Sequence, residues 1–199
     1  MYISSVKRFA HIFTFLLFSL QAMSQTQGNA YSFNGINTYV KMGEMLKDIK
    51  TIEFWIKPSA AINGSSGVQA ILVRDVDGMA FIGVEELALF FDGSQGAQPG
   101  KLAFRVGDGT QNATIYSDRN SWNVNQWYHI VAMVDNSTGL SLYVNGVQQQ
   151  DVNSNVTSVF FRQEGPTGEL LLGRWDNIET DYLNAELEEM RFWDNSRNE

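Results

Sequence analysis

Residues 127–146, W-Y-H-I-V-A-M-V-D-N-S-T-G-L-S-L-Y-V-N-G, constrain the fold more than any other stretch of the chain. Trp127 to Val134 is nearly all apolar and rich in β-branched and aromatic residues, so it predicts a strand buried on both faces. Asn136-Ser137-Thr138-Gly139 is turn chemistry: Asn and Gly tolerate positive φ, and the hydroxyls bond to local backbone. Leu140, Leu142 and Val144 then alternate with Ser141 and Tyr143, which predicts a half-buried strand. Asn145-Gly146 is a strong two-residue hairpin signal, with Val147 starting the return. Three antiparallel strands in succession place the centre of an all-β domain here.

The N-terminus is read apart from this domain. Lys7 and Arg8 precede the mainly apolar run Phe9–Leu20, and Ala22-Met23-Ser24 fits a small-x-small cleavage site. Residues 1–24 are therefore expected to be a secretory signal peptide, too short for a membrane span. No cysteine follows the apolar run, which excludes lipid attachment there. Residues 25–199 are expected to form one domain with a sizeable core. The leader carries two basic residues and no acid, so its removal takes the formal net charge from −8 to −10. An acidic chain without a basic run argues against nucleic acid and anionic lipid as partners. The absence of cysteine excludes thiol catalysis and thiolate metal sites.

Along the rest of the chain, short strands are expected at residues 30–33, 39–42, 51–57, 68–74, 79–84, 87–91, 101–107, 114–116, 170–174 and 187–193. In the third of these, Ile52, Phe54 and Ile56 face one side, Glu53, Trp55 and Lys57 the other, and Pro58 ends the ladder. Met45–Lys50 reads as one helical turn, Asp92–Gly100 as the loosest loop, and Asp151–Gly168 as a long loop. Many short strands with Gly, Asn and Asp between them, and no convincing long helix, predict a sandwich or barrel.

Several segments, in order, resemble one family. Phe33-Asn-Gly-Ile-Asn-Thr-Tyr-Val40 resembles the F-D-G-x-N-D-Y-V opening of laminin-G-like jelly-roll domains of the concanavalin A-like lectin/glucanase superfamily. Thr51-Ile-Glu-Phe-Trp-Ile-Lys-Pro58, Trp127-Tyr-His-Ile-Val131 and Leu142-Tyr-Val-Asn-Gly146 are similar to its T-I-E-x-W-I-K-P, W-x-H-I-A and L-Y-V-N-G strands. Leu171-Leu-Gly-Arg174 and Tyr182–Trp193 resemble its closing strands. The resemblance implies a two-sheet antiparallel jelly-roll β-sandwich with Greek-key connections, and it does not imply one activity. Family members usually continue beyond the point where this sequence stops, so the domain is expected to be truncated or part of a larger protein.

The resemblance also implies a metal site. Related domains hold one structural Ca²⁺ between the opening turn and the last strand, at positions matching Asn34, Asn37, Thr38 and Glu188. Two carboxylates that such a site commonly has are replaced here by Asn34 and Thr38, so a metal-free, hydrogen-bonded corner competes with Ca²⁺. By period two Glu188 faces the core with Met190 and Phe192, unless a bulge near Glu188-Glu189 lets Leu187 and Met190 both face in.

No catalytic set is legible. His129 is the single histidine after the leader and sits mid-strand, where a packed role is expected. Glycoside hydrolysis needs two positioned carboxylates. The superfamily's E-x-D-x-x-E strand has no counterpart: Glu186-Leu187-Glu188-Glu189 is differently spaced, and Asp75, Asp77, Glu85 and Glu86 sit at turns. Sugar sites need aromatic platforms beside polar groups. Trp122, Phe160, Phe161, Trp175 and Tyr182 are candidates, while Trp55 and Trp127 read as packing. Trp175, Asp176, Asn177, Asp181 and Tyr182 form the best cluster, with a loop aromatic covering the sheet edge as the competing reading for Trp175. N-x-S/T sequons occur at Asn63, Asn112, Asn136 and Asn155. The expected function is a secreted or surface-exposed, non-catalytic module that binds glycan or an extracellular protein. A polysaccharide hydrolase or lyase and an adhesive spacer are the alternatives.

Overall fold

The computed structural model describes residues 29–43, 49–74, 87–107, 112–135, 139–152, 170–175 and 181–197. Thirteen strands make up this part: β1 (Tyr31–Asn34), β2 (Val40–Lys41), β3 (Thr51–Pro58), β4 (Gln69–Arg74), β5 (Leu87–Phe91), β6 (Leu102–Gly107), β7 (Asn112–Tyr116), β8 (Tyr128–Asp135), β9 (Gly139–Val144), β10 (Val147–Gln148), β11 (Asp151–Val152), β12 (Leu170–Leu172) and β13 (Asn184–Trp193). The described residues contain no helix. The strand expected at 79–84 and most of the turn expected at 45–50 lie outside them, as does the leader.

The strands form two antiparallel sheets. One has six strands in the order β1-β13-β3-β8-β9-β10, the other seven in the order β11-β7-β6-β5-β4-β12-β2. Chain neighbours β8 and β9 pair directly through a hairpin, whereas β1 and β3 flank the last strand, β13. The two-sheet jelly-roll sandwich expected from the resemblance is the observed architecture.

The meander of residues 127–148 is as expected. Ile130, Ala132 and Val134 of β8 pair with Val144, Leu142 and Leu140 of β9. These side chains point into the space between the sheets, beside Ile52, Phe54 and Ile56 of β3. Opposite them lie Leu89 and Phe91 of β5, Phe104 of β6 and Ile115 of β7. Trp122 closes this core, stacked edge-on against Phe91 and Tyr128 at 5.1 and 4.9 Å, and its indole N–H donates to Gly100 O at 3.0 Å. It is therefore a core residue and not a sugar platform.

A second cluster lies on the far face of the seven-stranded sheet. Ala70, Val73, Ala88, Phe90, Ala103, Tyr116 and Trp175 are all buried there. This is why Leu87–Phe91 reads as an unbroken apolar run: its five residues are buried on both faces. A register shift at Ala70/Leu72 turns both Ile71 and Leu72 to the inner core and leaves Ala70 and Val73 outside.

Residue Glu188 shows the same device. The ladder between β13 and β3 slips between Glu188 and Arg191, and Glu189 adopts φ 51. Ala185 and Leu187 face the core before this bulge, and Met190 and Phe192 pack against it afterwards. Glu188 pairs with Trp55 on the outer face of the six-stranded sheet. The bulge, rather than a core-facing carboxylate, is the solution adopted.

Asp92–Gly100, expected to be the loosest loop, is tied down. Gln98 N–H donates to Asp92 Oδ2 at 2.7 Å, Gly100 N–H to Asp92 O at 2.8 Å, and Ser94 N–H to Ser66 O at 2.9 Å. The Asp92 side chain is buried, and a Cβ on Gly96 would stand 1.7 Å from its Oδ1. Gly96 is there because the carboxylate fills the place a side chain would need.

Candidate functional site

Of the four expected calcium ligands, Asn34, Asn37 and Thr38 come together in the opening turn, while Glu188 stands apart on β13. Asn34 Oδ1 accepts backbone N–H groups from Ile36, Asn37 and Thr38 at 3.0, 3.0 and 3.2 Å, and Asn34 Nδ2 donates to Asn37 Oδ1 at 2.9 Å. The opening turn is a hydrogen-bonded corner with its acceptor already committed. Asn34 pairs with Asn184, and Glu188 is four residues further along β13. At ~3.3 Å per residue that is about 13 Å along the backbone. Among the described residues no cluster of three or more His, Asp or Glu side chains occurs. Glu188 is buried, and its Oε1 accepts no hydrogen bond.

The expected glycan cluster is likewise rearranged. Trp175 has no exposed surface and stands edge-on to Phe90 at 5.1 Å. It covers the sheet and presents no stacking face, which corrects the platform reading. Tyr182 is half-buried and 6.5 Å from the Tyr39 ring, over which the Arg174 guanidinium lies at 4.4 Å. The Asp181 carbonyl accepts from Ala70 N–H at 3.2 Å. Asp176, Asn177, Phe160 and Phe161 lie outside the described residues, as do Asp75, Asp77, Glu85, Glu86 and two of the sequons, Asn136 and Asn155.

The outer face of the six-stranded sheet carries a second set of aromatic and charged groups. His129 Nε2 and Glu53 Oε1 are 3.1 Å apart, and Trp193 N–H donates to Glu53 Oε2 at 3.3 Å. The ring faces are occupied: His129 on Trp55 at 4.9 Å, Lys57 over Trp127 at 4.9 Å, Arg197 over Trp193 at 4.0 Å. Lys57 also pairs with Glu186 at 2.7 Å, and Arg191 with Glu189 at 2.9 Å. His129, Trp55 and Trp127 are packing residues, as the sequence suggests.

A concavity does exist on the other sheet, and the sequence reading missed it. Cross-strand register sets a row Tyr116–Ala103–Phe90–Ala70 across β7, β6, β5 and β4 on the outer face. Ala103 lies between two large rings, so the row has a dip. The next row is Thr114–Arg105–Ala88–Val73. From it Arg105 leans diagonally, its guanidinium 5.6 Å from the Phe90 ring centre and its Nε–H donating to Thr114 Oγ1 at 3.2 Å. The Asp92–Gly100 loop rises beside these rows. Together they enclose a pocket of about 420 Å³, lined by Val68, Phe90, Arg105, Tyr116 and residues 92–97. Phe90 and Tyr116 at its base are buried, so its open lining is Val68, Arg105 and the loop: a small apolar wall with a few convergent polar groups, the make-up of a small-molecule site. The signal lay in the alternation of small and large residues in Ala88-Leu-Phe90 and Ala103-Phe-Arg105, visible only once the strands are in register.

Within the pocket the described residues supply one carboxylate, Asp92, and it already accepts the Gln98 amide. Acid–base hydrolysis of a glycoside calls for two.

Comparison with known proteins agrees with this architecture. The family profile described as the Concanavalin A-like lectin/glucanases superfamily, Laminin_G_3, matches residues 33–199. No curated protein sequence matches the chain. Similar solved structures include the CBM40 domain of the Ruminococcus gnavus IT-sialidase bound to α2,3-sialyllactose, with TM-score 0.62, 12% identity, and 86% of this chain against 92% of that one. The NanB sialidase of Streptococcus pneumoniae also matches, with TM-score 0.62 and 14% identity over 86% of this chain, which spans only 26% of that protein. Mouse laminin α1 LG4–5 matches with TM-score 0.57 and 15% identity, over 82% of this chain and 41% of that one.

Proposed function

Because the chain belongs to the Laminin_G_3 family of the concanavalin A-like lectin/glucanase superfamily, we propose that it is a non-catalytic recognition domain that binds a glycan through the pocket beside the Asp92–Gly100 loop. The observation that carries this is the pocket's make-up: Val68 and the 93–97 loop as walls above the buried Phe90 and Tyr116 rings, Arg105 held over Phe90, and a single carboxylate already committed to the backbone. A neighbour of the same fold is a carbohydrate-binding module in complex with sialyllactose. In this reading residues 1–24 export the domain and are removed, and it acts outside the cell or at the cell surface. No helix among the described residues is long and apolar enough to cross a membrane.

The test is a glycan array run beside turnover assays on a polysaccharide panel, using residues 25–199. Binding without turnover is the expected result. Turnover abolished by Asp92→Asn would make the protein an enzyme and overturn the proposal. An empty array, with folded protein, would favour a spacer role.

A further inference from the structure

The outer face of the seven-stranded sheet is closed over much of its area. Ala70, Val73, Ala88, Ala103 and Trp175 have no exposed surface. A polysaccharide lying along this sheet would have to contact the row containing Ala88 and Val73, and that row is covered. At the loop end the described residues leave a pocket of about 420 Å³. At ~30 Å³ per water-sized group it holds roughly 14 such groups, the bulk of one sugar residue, with the next ring at its mouth. It also lies near the lower end of the ~300–1,000 Å³ range of ligand pockets.

The wall that ends the pocket is fixed. Asp92 holds Gln98 N–H, Ser94 N–H is bound to Ser66 O, and a Cβ at Gly93 would stand 2.8 Å from Val68 backbone and side-chain atoms. The loop cannot swing aside without breaking these contacts. We infer that the pocket takes the terminal one or two residues of a glycan end-on, and does not accept the interior of a polysaccharide chain. This rests on the glycan reading above. The terminal ring sits against Val68 and the exposed 94–97 loop, above the buried Phe90 and Tyr116 rings, and its substituents meet the Arg105 guanidinium, a donor-only group.

The experiment titrates the 25–199 chain by calorimetry with the best glycan from the array. It is presented as a free-ended oligosaccharide, as the same oligosaccharide extended by one residue at the bound end, and as a series of increasing length. The expected result is an affinity that levels off at two rings and falls at least tenfold on extension. Gln95→Trp, at an exposed wall position, should remove binding while the circular dichroism spectrum stays unchanged. Arg105→Lys should weaken it. Affinity that keeps rising to four or more rings, or full binding by Gln95→Trp, would overturn end-on capture while leaving glycan recognition standing. A blank array overturns both. Binding of a peptide in the pocket, competed by no sugar, would also overturn it.

Discussion

The Asp92–Gly96 contact gives the sharpest test of how the pocket wall is held. Asp92→Ala deletes the acceptor for Gln98 N–H, a 2.7 Å charge-assisted bond. Stranding a buried donor costs about 1–3 kcal/mol, and because Gln98 is half-buried the expected value is about 1–2 kcal/mol. Gly96→Ala places a Cβ 1.7 Å from Asp92 Oδ1, so the carboxylate must leave its position. Overpacking of this kind costs ~1–3 kcal/mol, and the Gln98 bond is lost with it. In the Asp92→Ala background the obstructing atoms are gone. Gly96 does not adopt a left-handed φ, so there the Gly96→Ala change should be neutral or stabilise by ~0.4–1 kcal/mol through the unfolded chain. The double mutant should therefore be more stable than the sum of the singles by about 2 kcal/mol or more, read from guanidinium denaturation of all four proteins. Additivity within ~0.5 kcal/mol would refute the account of this loop.

Three further outcomes are expected. Trp122→Phe loses the indole bond to Gly100 O and part of a fully buried ring; it should cost about 2–3 kcal/mol and lower Tm by ~4–12 °C in calorimetry, and an unchanged Tm would contradict the core assignment. Gly173 has φ 87, and a Cβ there would meet the Phe33 ring at 2.3 Å; Gly173→Ala should destabilise by more than ~1 kcal/mol, with wild-type thermal stability as the contrary result. Glu188 is buried with Oε1 unbonded; Glu188→Leu should raise stability by about 1 kcal/mol in chelator. A fall in Tm seen only in calcium-containing buffer would show that a cation compensates this carboxylate, and would revive a metal site there.

The fold was legible because its determinants are local. Alternation in Thr51–Lys57 and in Leu140–Val144, and the Asn145-Gly146 turn, each name a face or a reversal within a few residues, and the ladders follow them. The bulge at Glu189 was foreseeable because period two would otherwise have driven a carboxylate inward. The site was far less legible. Trp122 and Trp175 look like loop aromatics in sequence, and only the packing of Phe91, Tyr128 and Phe90 around them makes them core. Asp92–Gly100 looks loose because Gly and Ser dominate it, yet one buried carboxylate organises it. The pocket brings Val68, Phe90, Arg105 and Tyr116 together from β5, β6, β7 and the segment before β4, a consequence of cross-strand register rather than of any local pattern.

The central claim, that recognition occurs at this pocket and not on the aromatic outer face of the six-stranded sheet, is tested most directly by amide chemical-shift mapping. The ¹⁵N-labelled 25–199 domain is titrated with the array-selected glycan. The account predicts shifts concentrated at Val68, Gly93–Ala97 and Arg105, with Trp55, His129 and Trp193 unmoved. Shifts centred on Trp55, His129 and Trp193, with the Gly93–Ala97 amides silent, would contradict it.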